Sequence, residues 1–514
     1  MVTEIHEREQ KYEAGPTMRM PSLDGLPQVA SVSGPEAETL VAEYYDTDDL
    51  RLLRAGITLR RREGGDDEGW HLKLPEGAGR DGAASRRELR VPPGQPGDPV
   101  PDELARLVRV HTRSARLRPV ARIETRRRRT TLRDATGASL TEVLADEVAA
   151  QTLGASTTLS RWNEIEVELT GGSPKLLRAA DKQLRHGGLR PAGRSAKLER
   201  ALATELPPSR DGRPVAPLTR RSPAAEVVLA YLREHAARLK SLDPAVRRDE
   251  PDSIHQMRVT TRRLRSTLQS FPMILPASAT GHLRDELKWL GQVLGDARDN
   301  EVLGEHLRDE LAGTRAELVM GPAQARLRAH FAPLEAAARA AVLEALDSQR
   351  YFAMLDELDR LADEPPLTAE GADPAAAVLP GAVGRDHRRT RRRMRRAMRR
   401  PAGTGRDTSL HEARKAAKRT RYAAEALAPA FGKKAGRVAK RMKKVQSVLG
   451  NHHDAVTARA AVREIGVQAH LAGETAFSFG LLHEREEHKA LACQHQAEKA
   501  WKRAERPKAR KLFA

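Results

Sequence analysis

Two different periods divide the chain. Up to about residue 204, polar and apolar positions alternate in short runs at 7–12, 56–62, 70–74 and 163–169, and a period of two predicts β-strands. From residue 222, apolar residues recur at i, i+3, i+4 and i+7 through 223–243, 251–271, 282–312, 322–346 and 348–362, the spacing of amphipathic helices. Between the two lies a prolyl, polar stretch centred on 206–214 (LPPSRDGRP), which reads as a linker over 205–221. A second break at 372–381 (ADPAAAVLPG) ends one helical block and begins another. The pattern predicts an α+β chain of two domains: strands over 1–204, then helices over 222–505 in two blocks, 222–365 and 382–505, with a basic tail at 506–514.

Charge refines the strand half. In a strand, residues two apart share a face, and here the residues that share a face are charged. Glu7, Glu9 and Lys11 keep one parity, as do Arg60 and Arg62, Arg86 and Glu88, Arg126 and Arg128, and Glu164, Glu166 and Glu168. Any one such strand reads as the solvated face of an ordinary antiparallel sheet. A solvated face has no reason to segregate acids onto some strands and arginines onto others, so the set predicts a closed antiparallel barrel with a charged lumen.

The helical half repeats itself. Residues 254–265 (IHQMRVTTRRLR) are echoed by 410–421 (LHEARKAAKRTR), and 290–299 (LGQVLGDARD) by 445–454 (VQSVLGNHHD). On a helix, His255, Arg258, Arg262 and Arg265 fall on one stripe and His411, Arg414, Lys418 and Arg421 on its counterpart. Repetition in the same order predicts two copies of one helical unit about a pseudo-twofold axis, with the cationic rows facing each other. Such a surface suits one long anion. Neither histidine has a second ligand at metal spacing on its own face, so donation to a phosphate oxygen or capping of a neighbouring helix is the better reading. Asp299 and Asp454 read as helix-packing or ion-pair partners of the stripe, and the glycine before each block's Asp296 or Asn451 as a tight turn or a close helix approach. His452-His453 aligns with Ala297-Arg298 and reads as a basic loop position. The run 385–400, with arginine on every side, extends the anion surface.

With 514 residues the chain is too long for one core, and a formal net charge of +20 makes a polyanion the first partner to consider. Aromatic residues at 3% argue against a single-stranded nucleic-acid site, which needs rings for bases to stack on; no specific nucleic-acid partner is expected. One cysteine, Cys493, excludes an internal disulfide framework. No apolar run reaches the length of a membrane span and residues 1–4 do not begin a signal peptide, so a cytosolic protein is expected.

The strand half resembles the CYTH domain of the triphosphate tunnel metalloenzymes. Glu7-x-Glu9-x-Lys11 is similar to that family's E-x-E-x-K signature. Tyr44-Tyr45-Asp46-Thr47, Leu59-Arg60-Arg61-Arg62, Leu72-Lys73-Leu74-Pro75, Arg86-Arg87-Glu88, Arg126-x-Arg128, Glu164-Ile165-Glu166 and Ser195-Ala196-Lys197 follow in its order. The resemblance implies a β-barrel tunnel with flanking helices that hydrolyses inorganic triphosphate, or a related triphosphate, with Mg²⁺ or Mn²⁺. It implies a phosphate clamp of Lys11, Arg60, Arg62, Lys73, Arg86, Arg126, Arg128 and Lys197. Metal ligands and the group that orients water would come from Glu7, Glu9, Asp146, Glu164 and Glu166, with Glu168 in reserve. The chemistry itself would fall to Glu7, Glu9, Lys11, Glu164 and Glu166. One departure stands out: Ala145 precedes Asp146 where the family often has two acids. If Ala145 held the ligand position, binding would outlast hydrolysis.

The twin histidine helices resemble a CHAD domain, carried by His255-x-x-Arg258-x-x-x-Arg262, His411-x-x-Arg414-x-x-x-Lys418 and the two Leu-Gly-Asp/Asn-x-x-Asp blocks. That resemblance implies a pair of four-helix bundles that bind inorganic polyphosphate in a central basic channel, through His255, Arg258, Arg262, Arg265, Lys288, His411, Arg414, Lys418 and Arg421. Lys418 keeps the charge of its counterpart Arg262 but lacks the planar fork. Two other readings stay open: a polyphosphate-binding or granule-associated protein without turnover, and, less favoured for want of a base-recognition pattern, an adenylate cyclase of the tunnel type.

Overall fold

The computed structural model describes residues 3–15, 20–23, 25–78, 84–95, 97–154, 156–193, 196–205 and 216–506. Ser195, most of the expected linker (206–215) and the tail beyond 506 lie outside the described residues. The chain divides into two compact units, Met1–Arg213 and Pro214–Ala514.

The first unit is a barrel. Its strands are β1 (Thr3–Ala14), β2 (Ser31–Val32), β3 (Glu36–Asp46), β4 (Thr58–Glu63), β5 (Gly69–Ala78), β6 (Ala84–Val91), β7 (Arg118–Arg133), β8 (Ser139–Thr152), β9 (Leu159–Leu169) and β10 (Arg190–Pro191). Neighbours run β1-β6-β5-β4-β3-β7-β8-β9, and β9 pairs back onto β1, so eight antiparallel strands close on themselves. Closure removes the sheet edges. Alternation then sorts each strand between two environments.

The outward apolar set packs under helices. Leu59, Leu72 and Leu89 meet Leu104, Leu107 and Val108 of α2 (Asp102–Thr112). Val143, Ile165 and Val167 meet Leu176, Leu177 and Leu184 of α3 (Pro174–His186). Each of these fully buried aliphatic side chains contributes about 2 kcal/mol. Asp46 of the Tyr-Tyr-Asp-Thr block accepts from the backbone N–H of Thr47, Leu52 and Leu53 at 2.7–2.9 Å, so it ties down α1 (Arg51–Arg54) rather than facing the lumen. Inside, one end of the barrel is apolar: Ala42, Ile123, Val148 and Trp162 pack with Leu198, Ala201 and Leu202 around the short α4 (Lys197–Ala201). Lys197, at the start of α4, is thereby delivered into the charged remainder.

The second unit is all helix. In chain order it holds α5 (Ala224–Arg247), α6 (Ser253–Ser270), α7 (Ala277–Ala312), α8 (Ala323–Asp347), α9 (Gln349–Asp363), α10 (Ala375–Arg399), α11 (Thr404–Ala426), α12 (Ala428–Phe431), α13 (Lys433–Leu471) and α14 (Phe477–Ala504). Pro223 and Pro374 precede α5 and α10, and the two starts bond reciprocally: Ala224 N–H to Asp373 O at 2.8 Å and Ala375 N–H to Ser222 O at 2.9 Å. The two cationic helices, α6 and α11, pack against each other. Two expectations are corrected. The break at 372–381 is shorter than its composition suggests, because α10 begins at Ala375 and runs on through Pro380. The two Leu-Gly blocks and His452-His453 lie mid-helix in α7 and α13, not in turns or loops. Among the described residues no helix is long and apolar enough to cross a membrane.

Candidate functional sites

The barrel interior encloses a cavity of about 430 Å³. Lys11, Arg60, Arg62, Lys73, Arg86 and Lys197 all line it, as does Glu7. Register explains the grouping: Thr58 stands opposite Lys73, Lys73 opposite Glu88, Arg86 opposite Glu7, and Lys11 opposite Glu166. Arg60 donates to the Tyr44 hydroxyl at 3.2 Å. Lys73 Nζ lies 2.6 Å from Glu7 and 3.6 Å from the fully buried Glu88. Burial among neighbouring cations, Arg60 first, pulls Arg62 down to about 9, although its guanidinium also contacts Asp67.

Two of the expected clamp residues are elsewhere. Arg126 and Arg128 point outward, with side chains 72% and 68% exposed beside Glu124 and Glu147. The lumen holds Arg127 and Arg129 instead. A run of four arginines, 126–129, reads the same in either parity. The signal lay upstream, where buried Ala121, Ile123 and Thr125 alternate with exposed Arg122 and Glu124 and share parity with 127 and 129.

The acids gather on β1, β8 and β9. Asp146 faces inward, opposite Arg127 and Glu164 in register, while Ala145 packs into the outer core with Ile165 and Val167. The alanine therefore takes nothing from the lumen. Arg127 grips Asp146 with two bonds of 2.8 Å and reaches Glu166 at 3.2 Å. Lys197 Nζ sits 2.7 to 2.9 Å from Glu164, Glu166 and Asp146 at once. Burial opposes charge on all of these groups, but Lys197, Arg127 and Lys11 hold Asp146 and Glu166 below the usual carboxylate range.

Two carboxylate triads have geometry that could hold a cation: Asp146/Glu164/Glu166 and Glu9/Glu166/Glu168. The first already surrounds the Lys197 ammonium. The second fits a divalent ion better. Glu9 is buried, and among the described residues neither of its oxygens accepts a hydrogen bond, although Lys11 Nζ lies 3.2 Å from one. Glu168 is pushed up to about 7 by burial and by Glu166, Glu9 and Glu7, the mark of more negative charge than the local cations neutralise. Glu168 thus belongs to the second triad and Glu164 to the first, and Glu7, whose carboxyl burial raises against the pull of Lys73, enters neither and accepts from the Lys73 ammonium.

In the helical unit a groove of about 1380 Å³ collects His255, Arg258, Arg262, Arg265, His411, Arg414, Lys418 and Arg421. Lys288 is not among them; it is an exposed residue of α7. Arg298, Arg389, Arg393, Lys415, Arg419 and His453 also line it, with His306 and Lys489 at its margin. Of these, Arg298 and His453 occupy matching places in the aligned repeats, a signal present in the sequence. Tyr422, fully buried, receives the Arg262 Nε–H at 3.1 Å and has Arg263 and Arg421 over its ring at 5.4 and 5.5 Å. Arg258 binds Asp299 through both guanidinium nitrogens at 2.6 and 3.1 Å, and Arg414 stands 3.9 Å from Asp454. The Leu-Gly glycines make room for these arginines: a Cβ on Gly295 would stand 3.4 Å from the Arg258 guanidinium, and one on Gly450 3.5 Å from that of Arg414.

Cations here exceed their partners. Burial, with Arg262, Arg414 and Arg258 nearby, drives Lys418 down to about 6. Burial and His453, its ring 4.1 Å away, drive His411 down to about 4. His452 turns away from the groove and bonds Asp407 at 3.2 Å. At the groove's margin His306, Glu310 and Glu486 form a third cluster, but Lys489 already lies 2.7 and 2.8 Å from its two carboxylates.

A CYTH-domain model matches residues 7–195 and a CHAD-domain model residues 230–463. The uncharacterized protein Rv2226 of Mycobacterium tuberculosis H37Rv is 36% identical over 516 residues, spanning 97% of this chain and 96% of its own. Among solved structures, PptA from Streptomyces chartreusis is similar over 55% of this chain and all of its own, at 24% identity and a TM-score of 0.48. PH1819 from Pyrococcus horikoshii OT3 is similar over 38% of this chain and 99% of its own, at 15% identity and a TM-score of 0.24. With both domain models matched in order and a relative alike along nearly its whole length, the chain belongs to the family of proteins in which a CYTH domain is followed by a CHAD domain.

Proposed function

We propose that the barrel is a metal-dependent triphosphatase acting on inorganic triphosphate or a close relative, and that the helical groove binds inorganic polyphosphate. The observation that carries the first part is the division of one closed lumen: Arg60, Arg62, Lys73, Arg86, Arg127 and Arg129 on β4 to β7 face Glu9, Asp146, Glu166 and Glu168 on β1, β8 and β9. Fixed cations grip the phosphate oxygens without reorganising, which favours charge that builds up in transfer of a phosphoryl group. Glu9, Glu166 and Glu168 would hold Mg²⁺ or Mn²⁺, which supplies neutralisation of the attacked phosphoryl group. Lys11 and Lys197 keep Glu166 ionised and in place.

Phosphate release from tripolyphosphate with Mg²⁺ or Mn²⁺ tests this. Glu9→Gln is expected to lower kcat at least a hundredfold with folding intact, and an unchanged rate would overturn the assignment. One observation favours a reading without turnover: Lys197 and Arg127 already neutralise Asp146, Glu164 and Glu166. Wild-type protein that retains tripolyphosphate yet releases no phosphate with either metal would decide for it. For the groove, retention on long-chain polyphosphate should fall steeply with salt, because each contacted phosphate releases counterions.

A further inference from the structure

The groove does not exhaust the basic surface of the helical unit. Arg389 and Arg393 of α10 line the groove. Arg396 stands seven residues on from Arg389 and so continues the same stripe of the helix within about 20°, and Arg400 follows as the extended residue that caps the helix end. These two arginines also open a second, separate cleft of about 610 Å³ whose lining is arginine alone. The rest of that lining comes from Arg388, Arg392, Arg395 and Arg399, at i, i+4, i+7 and i+11 on the outer face, with Arg391 at its edge.

Such crowding is costly unless an anion relieves it. Arg391 has Glu505 at 3.2 Å, and Arg400 donates to the Gly405 carbonyl at 2.9 Å. Arg388, Arg392, Arg395, Arg396 and Arg399 are exposed, and among the described residues none has a carboxylate within ion-pair distance. Burial beside Arg419 and Arg393 already lowers Arg389 where the stripe leaves the groove.

We propose that the outer face of α10 is a second polyphosphate-binding track, continuous with the groove, which engages only chains long enough to run out of the groove and over the helix. The proposal rests on the groove's assigned ligand. Continuity around one helix favours a thin flexible chain over a nucleic-acid duplex, and a lining of arginine alone offers no ring for single-stranded bases. Arginine forks suit phosphate oxygens in pairs.

The test uses the full chain with the four outer residues changed together: Arg388→Gln, Arg392→Gln, Arg395→Gln and Arg399→Gln. All are exposed, and glutamine keeps the helix. Affinity for long-chain polyphosphate is expected to fall ten- to a hundredfold, and the slope of log K against log salt to shrink by roughly three, four charges at about 0.7 each. Affinity for a short chain that fits inside the groove, and phosphate release by the barrel, should not change. An equal loss for short and long chains, or no loss for either, overturns the track. Duplex DNA that binds wild type as tightly as long-chain polyphosphate and loses affinity in the variant overturns the choice of ligand. Failure of the groove reading is separable, since wild type would then not bind the short chain at all, and Arg262→Gln would change nothing.

Discussion

At the scale of single residues, charge is held where water would ordinarily be needed to support it. Lys418 is the sharpest case. Its amine, at about 6 rather than the ordinary 10.5, carries no proton in the folded chain at neutral pH, whereas the unfolded chain does carry one. Stability from this position is therefore full above the ordinary lysine range and is lost as pH falls through 10.5 toward 6. A bound polyanion reverses the preference and draws a proton onto the amine. Polyphosphate affinity should accordingly fall as pH rises from 7 to 9, by up to tenfold per pH unit for the one proton taken up. Calorimetry in buffers of different ionisation heat should show that proton in wild type and its loss in Lys418→Arg. Equal uptake by both proteins would mean the groove histidines, not Lys418, set the pH dependence.

At the scale of elements, strand parity and helix packing decide which cations matter. Arg127→Ala leaves buried Asp146 with Lys197 alone and should cost about 3–5 kcal/mol in denaturant unfolding, along with most phosphate release. Arg126→Ala and Arg128→Ala lie outside and should stay within about 0.5 kcal/mol, at full activity. The reverse order would mean the register of β7 on β8 is wrong. On α7, Gly295→Ala fits at van der Waals distance from Arg258 and should stabilise the helix by up to about 1 kcal/mol. Gly295→Leu does not fit; it should drive Arg258 off Asp299 and weaken polyphosphate retention several-fold. Equal retention by both variants would remove the glycine from any part in the groove.

At the scale of the molecule, the two units have separate cores. The barrel's apolar clusters draw only on residues before 203, and the cluster centred on Leu307, Phe331 and Val462 only on the helical unit. Residues 1–213 and 214–514 expressed apart should each unfold cooperatively, the first keeping phosphate release and the second salt-sensitive polyphosphate binding. A helical fragment that unfolds without the barrel would contradict independent cores.

Much of this was legible in the chain. The helices over 224–247, 253–270, 323–347 and 349–363 fall within a few residues of the periodic segments, because a 3.6-residue stripe buried along one face leaves few alternatives. The charged lumen was legible in β9, where charged and apolar residues alternate, and in the shared parity of Glu7, Glu9 and Lys11, of Arg60 and Arg62, and of Arg86 and Glu88. Alternation is silent in a run of like residues, so 126–129 gave no parity of its own. It is silent too on partners far apart in sequence, so nothing foretold that Lys197 would sit among Asp146, Glu164 and Glu166.

What the sequence determined by itself, then, was local: two periods, a prolyl boundary, a repeated cationic stripe, and one face of each strand given to charge. Each follows from the geometry of a single element. Which of those charges meet was decided by tertiary structure alone. β9 closing on β1 brings carboxylates within reach of one another, and α6 packing on α11 crowds cations until a lysine gives up its proton. Pairings of that kind depend on distance through space, and sequence spacing does not carry it.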